Sequence, residues 1–358
     1  MRAVIVSHLY LDPGTRGKLR AIAGQDCSLV AAVPGGVAET VAGVRIAPIP
    51  ATGGPEAGSL RWETRALRRL FTDVRPDIIQ IEEEPVSQGS SAAASEAARL
   101  NIPVVVFSWE SLPRRKSFLE KRRMSTSLKA AGACIAGNTL AADLLREELP
   151  TTPIAVMPQL GVTARPPRDR APGDVLSIGF AGRLLPQRGV DSLLRACASI
   201  MGPWTLSVAG TGPEQESLEA QAQRLGLASR IRWLGGIPRA DVEALLPGLD
   251  CLVLPSRRTD DWVERWSPVL LDAMACGVVP VVNEGGALAS VVEGVGKVVG
   301  DEESLGVALQ TLLAYPDERL RLGAAARQRV LERYVDSALA EQTIALWRQV
   351  LARPRRVE

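Results

Sequence analysis

The sequence predicts an α/β protein of two domains, each an open, mostly parallel sheet with helices on its faces. Three observations carry this. The chain has 358 residues, more than a single core usually organises. Short runs rich in Val and Ile alternate with longer Ala/Leu/Arg segments, the pattern of strands joined by helical crossovers. Near the middle, residues 161–174 are rich in Pro, Arg and Gly and carry no periodicity, which reads as a linker. The expected domains are therefore 1–165 and 166–335, with a last helical segment, 336–358, set apart.

In the first domain, strands are expected at 3–6, 28–33, 78–81, 104–107, 134–136 and 155–157. Between them, 61–71 and 92–100 have the apolar spacing of amphipathic helices. The second domain repeats the plan. Strands are expected at 175–180, 205–209, 231–234, 251–254, 279–282 and 297–299, and helices at 191–200, 215–225, 241–246 and 269–275. Asp191 is the expected N-cap of the first of these helices. Helices at 304–313, 317–334 and 337–353 follow, the last carrying Trp347, and no repeat of 20 to 50 residues is found.

Composition narrows the class. The formal net charge is +2, which gives neither the basic surplus of a nucleic-acid binder nor an acidic tail. Five scattered cysteines (Cys27, Cys134, Cys197, Cys251, Cys276) lack C-x-x-C spacing and read as reduced core residues. With one histidine, His8, and no Cys/His cluster, no metal site is expected. No secretory h-region is evident at the start, and no apolar stretch reaches the roughly 20 residues of a bilayer span. The expectation is a cytoplasmic protein, or one peripheral to a membrane.

The segment 255–282 is the most informative. Glu264 and Asp272, separated by seven residues, straddle a loop-to-helix junction. A helix is expected to start near Ser267 or Pro268 and to stop at Gly277. Its first amide groups and positive dipole end suit a diphosphate, and Asp272 lies one turn in. An alternative is that Asp272 satisfies backbone groups in a buried helix and Glu264 is a solvated loop acid. Upstream, Gly182-Arg183-Leu184-Leu185-Pro186-Gln187-Arg188-Gly189 follows a strand and brings two guanidiniums to its carboxyl end. Arginine suits bidentate contact with phosphate oxygens, and charge placed there eases departure of a diphosphate. The turn Gly210-Thr211-Gly212-Pro213 lets backbone approach a neighbour closely, but it lacks the third glycine of a dinucleotide fingerprint.

These motifs resemble family-4 retaining glycosyltransferases. Glu264, seven residues, then Asp272-Ala-Met-Ala-Cys-Gly resembles the E-x7-E signature, with Asp in place of the second Glu. The stretch 182–189 resembles the family's G-R-L-x-x-x-K-G, with Arg188 in place of Lys, and 231–235 resembles its V-x-F-L-G strand. The resemblance implies the GT-B fold, two Rossmann-like domains facing a central cleft, with the last helix crossing back to the first domain. It implies a hexose moved from a UDP- or GDP-linked nucleotide sugar to a small-molecule, natural-product or glycan acceptor. It assigns Glu264 to the donor hexose, Arg183 and Arg188 to the diphosphate, and Asp272 to the ribose. Gly182, Gly210, Gly212, Arg265, Trp266 and Ser267 complete the donor side. It implies no cofactor, no nucleic-acid partner and no protein-held metal.

The acceptor side is expected where the first domain's strands end. His8, then Gly14, Arg16 and Lys18 in a loop, offer basic groups, with strand-end packing as the alternative for His8. Glu82-Glu83-Glu84 follow one strand; Trp109 and Glu110 follow another, Trp109 falling where relatives carry His. Arg114-Arg115-Lys116 and Lys121-Arg122-Arg123 flank Phe118 and Leu119, which reads either as a solvated helix face or as a weak contact with anionic lipid. The rival functions are a nucleotide-sugar epimerase or hydrolase, and an inactive nucleotide-sugar-binding subunit.

Overall fold

A computed structural model describes residues 1–54, 60–167 and 173–353. Residues 168–172 of the expected linker, and 354–358 of the last segment, lie outside the described residues. The chain divides into two compact units, Met1–Gly161 with Asp336–Glu358, and Val162–Val335. The division falls at 161/162, not at the expected 165/166.

The first unit runs β1 (Arg2–Val6), α1 (Gly17–Ala23), β2 (Ser28–Pro34), β3 (Glu39–Val41), β4 (Val44–Ile49), β5 (Ala51–Thr52), β6 (Arg61–Trp62), α2 (Thr64–Val74), β7 (Ile78–Ile81), α3 (Gln88–Arg99), β8 (Val104–Ser108), α4 (Phe118–Lys129), β9 (Ala131–Ala136), α5 (Thr139–Glu148) and β10 (Ile154–Val156). Its main sheet has the order β10-β9-β8-β7-β1-β2-β4-β3, parallel except for the edge strand β3. Alternation along β1 supplies both faces. Val4 and Val6 join a core with Leu67, Phe71 and Ala97, while Ala3 and Ile5 join one with Leu19, Ile22, Leu339 and Trp347. Two expectations fail here. Arg61 and Trp62 pair antiparallel with Ala51–Thr52 instead of opening a helix, because Glu63 is extended and α2 starts only at Thr64. The strand β4 was not expected, since Arg45 and Pro48 interrupt its apolar run.

The second unit runs β11 (Leu176–Ala181), α6 (Val190–Ala198), β12 (Trp204–Ala209), α7 (Gln215–Arg224), β13 (Ile231–Gly235), α8 (Arg239–Leu245), β14 (Cys251–Leu254), α9 (Pro268–Ala275), β15 (Val279–Asn283), α10 (Leu288–Val292), β16 (Lys297–Val299), α11 (Glu302–Ala314) and α12 (Pro316–Arg333). Its six strands are all parallel in the order β13-β12-β11-β14-β15-β16. Ile178, Phe180, Leu206, Val208, Leu252, Leu254 and Val281 are buried, as expected of strands covered on both faces. Asp191 is not an N-cap. Gly189, left-handed at φ 71°, occupies that position, and Asp191 sits inside the first turn of α6, bound to Arg195 and Arg257.

The last helix, α13 (Asp336–Leu351), belongs to the first unit. Trp347 is buried and donates from Nε1 to Gln80 Oε1 on β7 at 2.8 Å. Gly17 and Gly161 both pack against Asp336 at its start; a Cβ on Gly17 would lie 1.9 Å from an Asp336 carboxylate oxygen. Among the described residues no helix is long and apolar enough to cross a membrane. All five cysteines are buried and unbridged.

Candidate active site

In each unit the strand order reverses once, and ligands of open α/β sheets bind at such a point, beyond the carboxyl ends of the two diverging strands. In the second unit the reversal lies between β11 and β14. The loop after β11 carries Arg183 and Arg188; the loop after β14 carries Ser256, Trp262 and Glu264. Chain order and sheet topology together therefore bring residues 76 positions apart into contact.

Glu264 is buried, and its Oε2 accepts from Arg188 Nη1 and from the Ser256 hydroxyl at 3.0 Å. Arg188 lies over the Trp262 ring, its Cζ 5.5 Å from the centroid. Burial and the neighbouring Arg183 push the Arg188 pKa down, and a guanidinium stays cationic throughout. Its Nε is buried with no hydrogen-bond partner among the described residues. Arg183 is exposed, and its guanidinium is unpartnered among the described residues. The site thus holds one cation, Arg188, paired through Nη1 but with an orphaned buried Nε–H, and one open cation, Arg183.

Neighbouring glycines shape this loop. Gly182 N donates to Ala209 O at 2.9 Å and Leu184 N to Thr211 O at 3.0 Å, so the loops after β11 and β12 run side by side. A Cβ on Gly210 would sit 1.8 Å from Gly182 O, and one on Gly212 would sit 2.2 Å from Leu184 O. Gly210 and Gly212 are thus required for backbone-to-backbone packing at this loop pair. Gly286, after β15, packs close to the Glu264 backbone, and Ala287 N donates to Glu264 O at 3.0 Å.

Ser267 caps α9 as expected, accepting from Leu270 N at 3.3 Å. Arg265 is exposed, and Trp266 meets Tyr334 edge-on at 5.8 Å. Asp272 is buried one turn into α9, and it is already paired. Arg165 Nε lies 3.4 Å from Oδ1 and Arg239 Nη2 3.3 Å from Oδ2. Glu243 closes the cluster, 2.8 Å from Arg165 and 2.7 Å from Arg239. Burial pushes the Asp272 pKa up, and the two guanidiniums oppose it. Arg165, Arg239 and Glu243 were not expected at this site. Arg239 and Glu243 are spaced i,i+4, a legible signal, but Arg165 lies 107 residues from Asp272.

In the first unit the reversal lies between β1 and β7. His8 follows β1 and Glu83 follows β7. Glu83 is buried, and its Oε1 accepts from His8 N at 2.7 Å and from His8 Nδ1 at 2.8 Å. That hydrogen bond raises the His8 pKa above the ordinary 6.5 against the opposing effect of burial. Arg16 and Lys18 do not face outward as expected. Arg16 is buried, donating to Tyr10 O at 2.7 Å, Leu11 O at 3.2 Å and Glu39 Oε1 at 2.7 Å. Lys18 is buried against Glu82, 2.6 Å from Oε1, and the Tyr10 hydroxyl donates to the other oxygen at 2.7 Å. Both positions are structural: a buried charge must find a partner, and the fold supplies one. Gly14 is exposed in a turn closed by Asp12.

The three consecutive acids thus diverge. Glu82 turns inward, Glu83 takes His8, and Glu84 accepts from Trp109 N at 2.7 Å and Ser108 Oγ at 2.9 Å. Trp109 donates from Nε1 to Gln159 at 3.1 Å and lies over Gly137, where a Cβ would be 2.1 Å away. Glu110 pairs with Arg114 and Lys116, each at 3.1 Å.

Comparisons with known proteins agree with this architecture. The family model for glycosyl transferases group 1 matches residues 165–329, and that for the glycosyl transferase 4-like domain matches 15–159. A GDP-mannose-dependent alpha-(1-6)-phosphatidylinositol monomannoside mannosyltransferase of Mycolicibacterium smegmatis is 33% identical over 172 residues, 45% of each chain. A D-inositol 3-phosphate glycosyltransferase of Segniliparus rotundus is 32% identical over 186 residues, 49% of this chain and 40% of that one. The matches thus span less than half the length of these relatives. Among solved structures, sucrose-phosphate synthase of Thermosynechococcus elongatus aligns with a TM-score of 0.69 at 18% identity, covering 98% of this chain and 99% of that one. Anabaena Alr3699/HepE in complex with UDP aligns at 0.70 and 18% identity, covering 98% and 100%. Likeness at that identity shows the fold, which is GT-B. With both family models falling in order along one chain of that fold, the protein belongs to the group 1, family-4 glycosyltransferases.

Proposed function

We propose that the protein moves a hexose from a UDP- or GDP-linked donor to a small-molecule, natural-product or glycan acceptor, with retention at the anomeric carbon. The observation that carries this reading is the Arg188–Glu264 pair at the strand reversal of the second unit, beside the open Arg183 and the unpartnered Arg188 Nε. A donor diphosphate would take Arg183 and Arg188, and the hexose hydroxyls would take the released Glu264 carboxylate. Positive charge fixed at the diphosphate stabilises it as it leaves, so the anomeric carbon becomes oxocarbenium-like without a protein nucleophile. The acceptor then attacks from the same face as a phosphate oxygen takes its proton. Asp272 would exchange one arginine for ribose hydroxyls. One relative is named for GDP-mannose and a phosphatidylinositol monomannoside and another for D-inositol 3-phosphate, which supports a sugar nucleotide as donor and an inositol-containing acceptor.

The internal pairing of Glu264 and Asp272 favours one rival, a subunit that binds nucleotide sugar without transferring it. Around α4 we also assign a weak contact with anionic lipid. Phe118 and Leu119 are 83% and 51% exposed, beside a cavity of about 690 Å³ lined by Arg115, Lys121 and Lys129.

Calorimetry with UDP, GDP and ADP tests the donor site. Saturable binding of one nucleotide, weakened by both Arg188→Ala and Asp272→Ala, supports it and names the base. Binding of none would sink it. If a nucleotide sugar binds but is never turned over with any acceptor, the non-transferring rival wins.

A further inference from the structure

We propose that His8, clamped by Glu83, is the acceptor-binding group of the first unit, its Nε2 lone pair receiving a hydroxyl of a polyol acceptor. The inference rests on the glycosyl-transfer reading above. Its basis is placement and tautomer. His8 and Glu83 follow β1 and β7, the two strands between which the sheet order reverses, so they stand where an open α/β sheet takes its ligand. An ionised carboxylate only accepts hydrogen bonds, so Nδ1 must carry the proton that reaches Glu83 Oε1 at 2.8 Å. In the neutral ring, Nε2 is then the bare nitrogen, and it has no protein partner among the described residues. The backbone N–H of His8 reaches the same oxygen at 2.7 Å, which fixes the orientation of the ring.

The surrounding charges select a hydroxyl over an anion. Glu83 touches the imidazole and Glu82 lies behind it, both from the loop after β7. Glu82 is answered by Lys18 of α1 and by the Tyr10 hydroxyl, while Asp336 at the start of α13 faces Lys18. Arg16 is consumed by Glu39 and two carbonyls. Among the described residues, the two basic groups of this loop, Arg16 and Lys18, are thus both occupied, whereas a fixed lone pair is a natural partner for an O–H. Protonation of Nε2 removes that lone pair, so acceptor use rises with pH through the elevated His8 pKa.

His8 is the only histidine of the chain, so the imidazole of ¹⁵N-labelled protein gives a single pair of nitrogen resonances. The neutral ring should read Nδ1–H with a bare Nε2 and titrate above 6.5. Glu83→Gln should move that titration down. With UDP or GDP bound, myo-inositol and methyl α-mannoside serve as probe polyols, and at least one should shift the Nε2 resonance. His8→Gln keeps an acceptor oxygen but cannot titrate. It should lower kcat/KM for the polyol roughly five- to tenfold, about one hydrogen bond, and abolish the pH limb while nucleotide affinity is unchanged. A protonated Nε2 in the neutral ring, an unmoved Nε2 beside a polyol that is turned over, or an intact pH limb in His8→Gln would each overturn the proposal. A nucleotide that binds while both polyols leave Nε2 unmoved overturns the acceptor role alone. Failure of every nucleotide to bind overturns the transfer reading and this inference with it.

Discussion

Replacing Arg188 by alanine separates what its ion pair does for the fold from what it does for a ligand. Glu264 would keep only the Ser256 hydroxyl on Oε2 among the described side chains, with its own side chain 8% exposed. Removing one partner of a buried pair costs about 3–5 kcal/mol, because the survivor is left charged and poorly solvated. Arg188 is 22% exposed, so water enters the vacated space and the expected loss falls to about 2–3 kcal/mol. In a Glu264→Gln background the same truncation should cost about 1 kcal/mol or less, since no charge is stranded. Equilibrium urea unfolding of the four proteins of this double-mutant cycle gives the coupling directly. The double variant should recover most of the stability and none of the nucleotide diphosphate affinity. Two losses that add to within about 0.5 kcal/mol would refute the reasoning, because uncoupled sites behave that way.

Other consequences follow from the same structure. Gly210→Ala should destabilise the second unit by about 3 kcal/mol or more, combining a left-handed φ of 139° with a Cβ 1.8 Å from a neighbouring carbonyl; urea unfolding checks it. Lys18→Met should cost stability on the scale of a broken buried pair, about 3–5 kcal/mol, with no selective rise in acceptor KM; a selective rise would return Lys18 to the acceptor side. Burial pushes the thiols of Cys134 and Cys197 up to about 12, so Ellman's reagent should leave both unmodified at pH 8 until the chain is unfolded. His8 has a raised folded-state pKa, so the stability it contributes is fully present below 6.5 and lost as pH rises through the elevated value; His8→Gln should flatten unfolding free energy against pH across that window. Co-sedimentation with vesicles containing anionic lipid should fall when Phe118 and Lys121 are both replaced, and equal binding to neutral vesicles would remove the lipid assignment.

The α/β plan was legible because parallel strands covered on both faces read as unbroken Val/Ile runs, as in β1, β7, β8 and β14. Edge elements were not. β4 carries Arg45 and Pro48, and α6 takes its cap from Gly189 because that backbone turns left-handed, a choice the attractive Asp191 hid. In the second unit, Arg183, Arg188, Glu264 and Asp272 could be picked out because each lies in a short contiguous motif at a strand or helix end.

By itself, the sequence determined local periodicity, the helix start at Ser267 and the two arginines of the loop after β11. Tertiary structure decided which charges remained available. Of the groups His8, Arg16 and Lys18 after β1 and Glu82, Glu83 and Glu84 after β7, Arg16, Lys18 and Glu82 were drawn inside, Glu84 was bound to Trp109 and Ser108, and His8 and Glu83 were left paired at the strand reversal. The physical reason is that a buried charge is stable only with a partner, and these partners, up to 75 residues away, are brought near only by the strand order of the folded sheet.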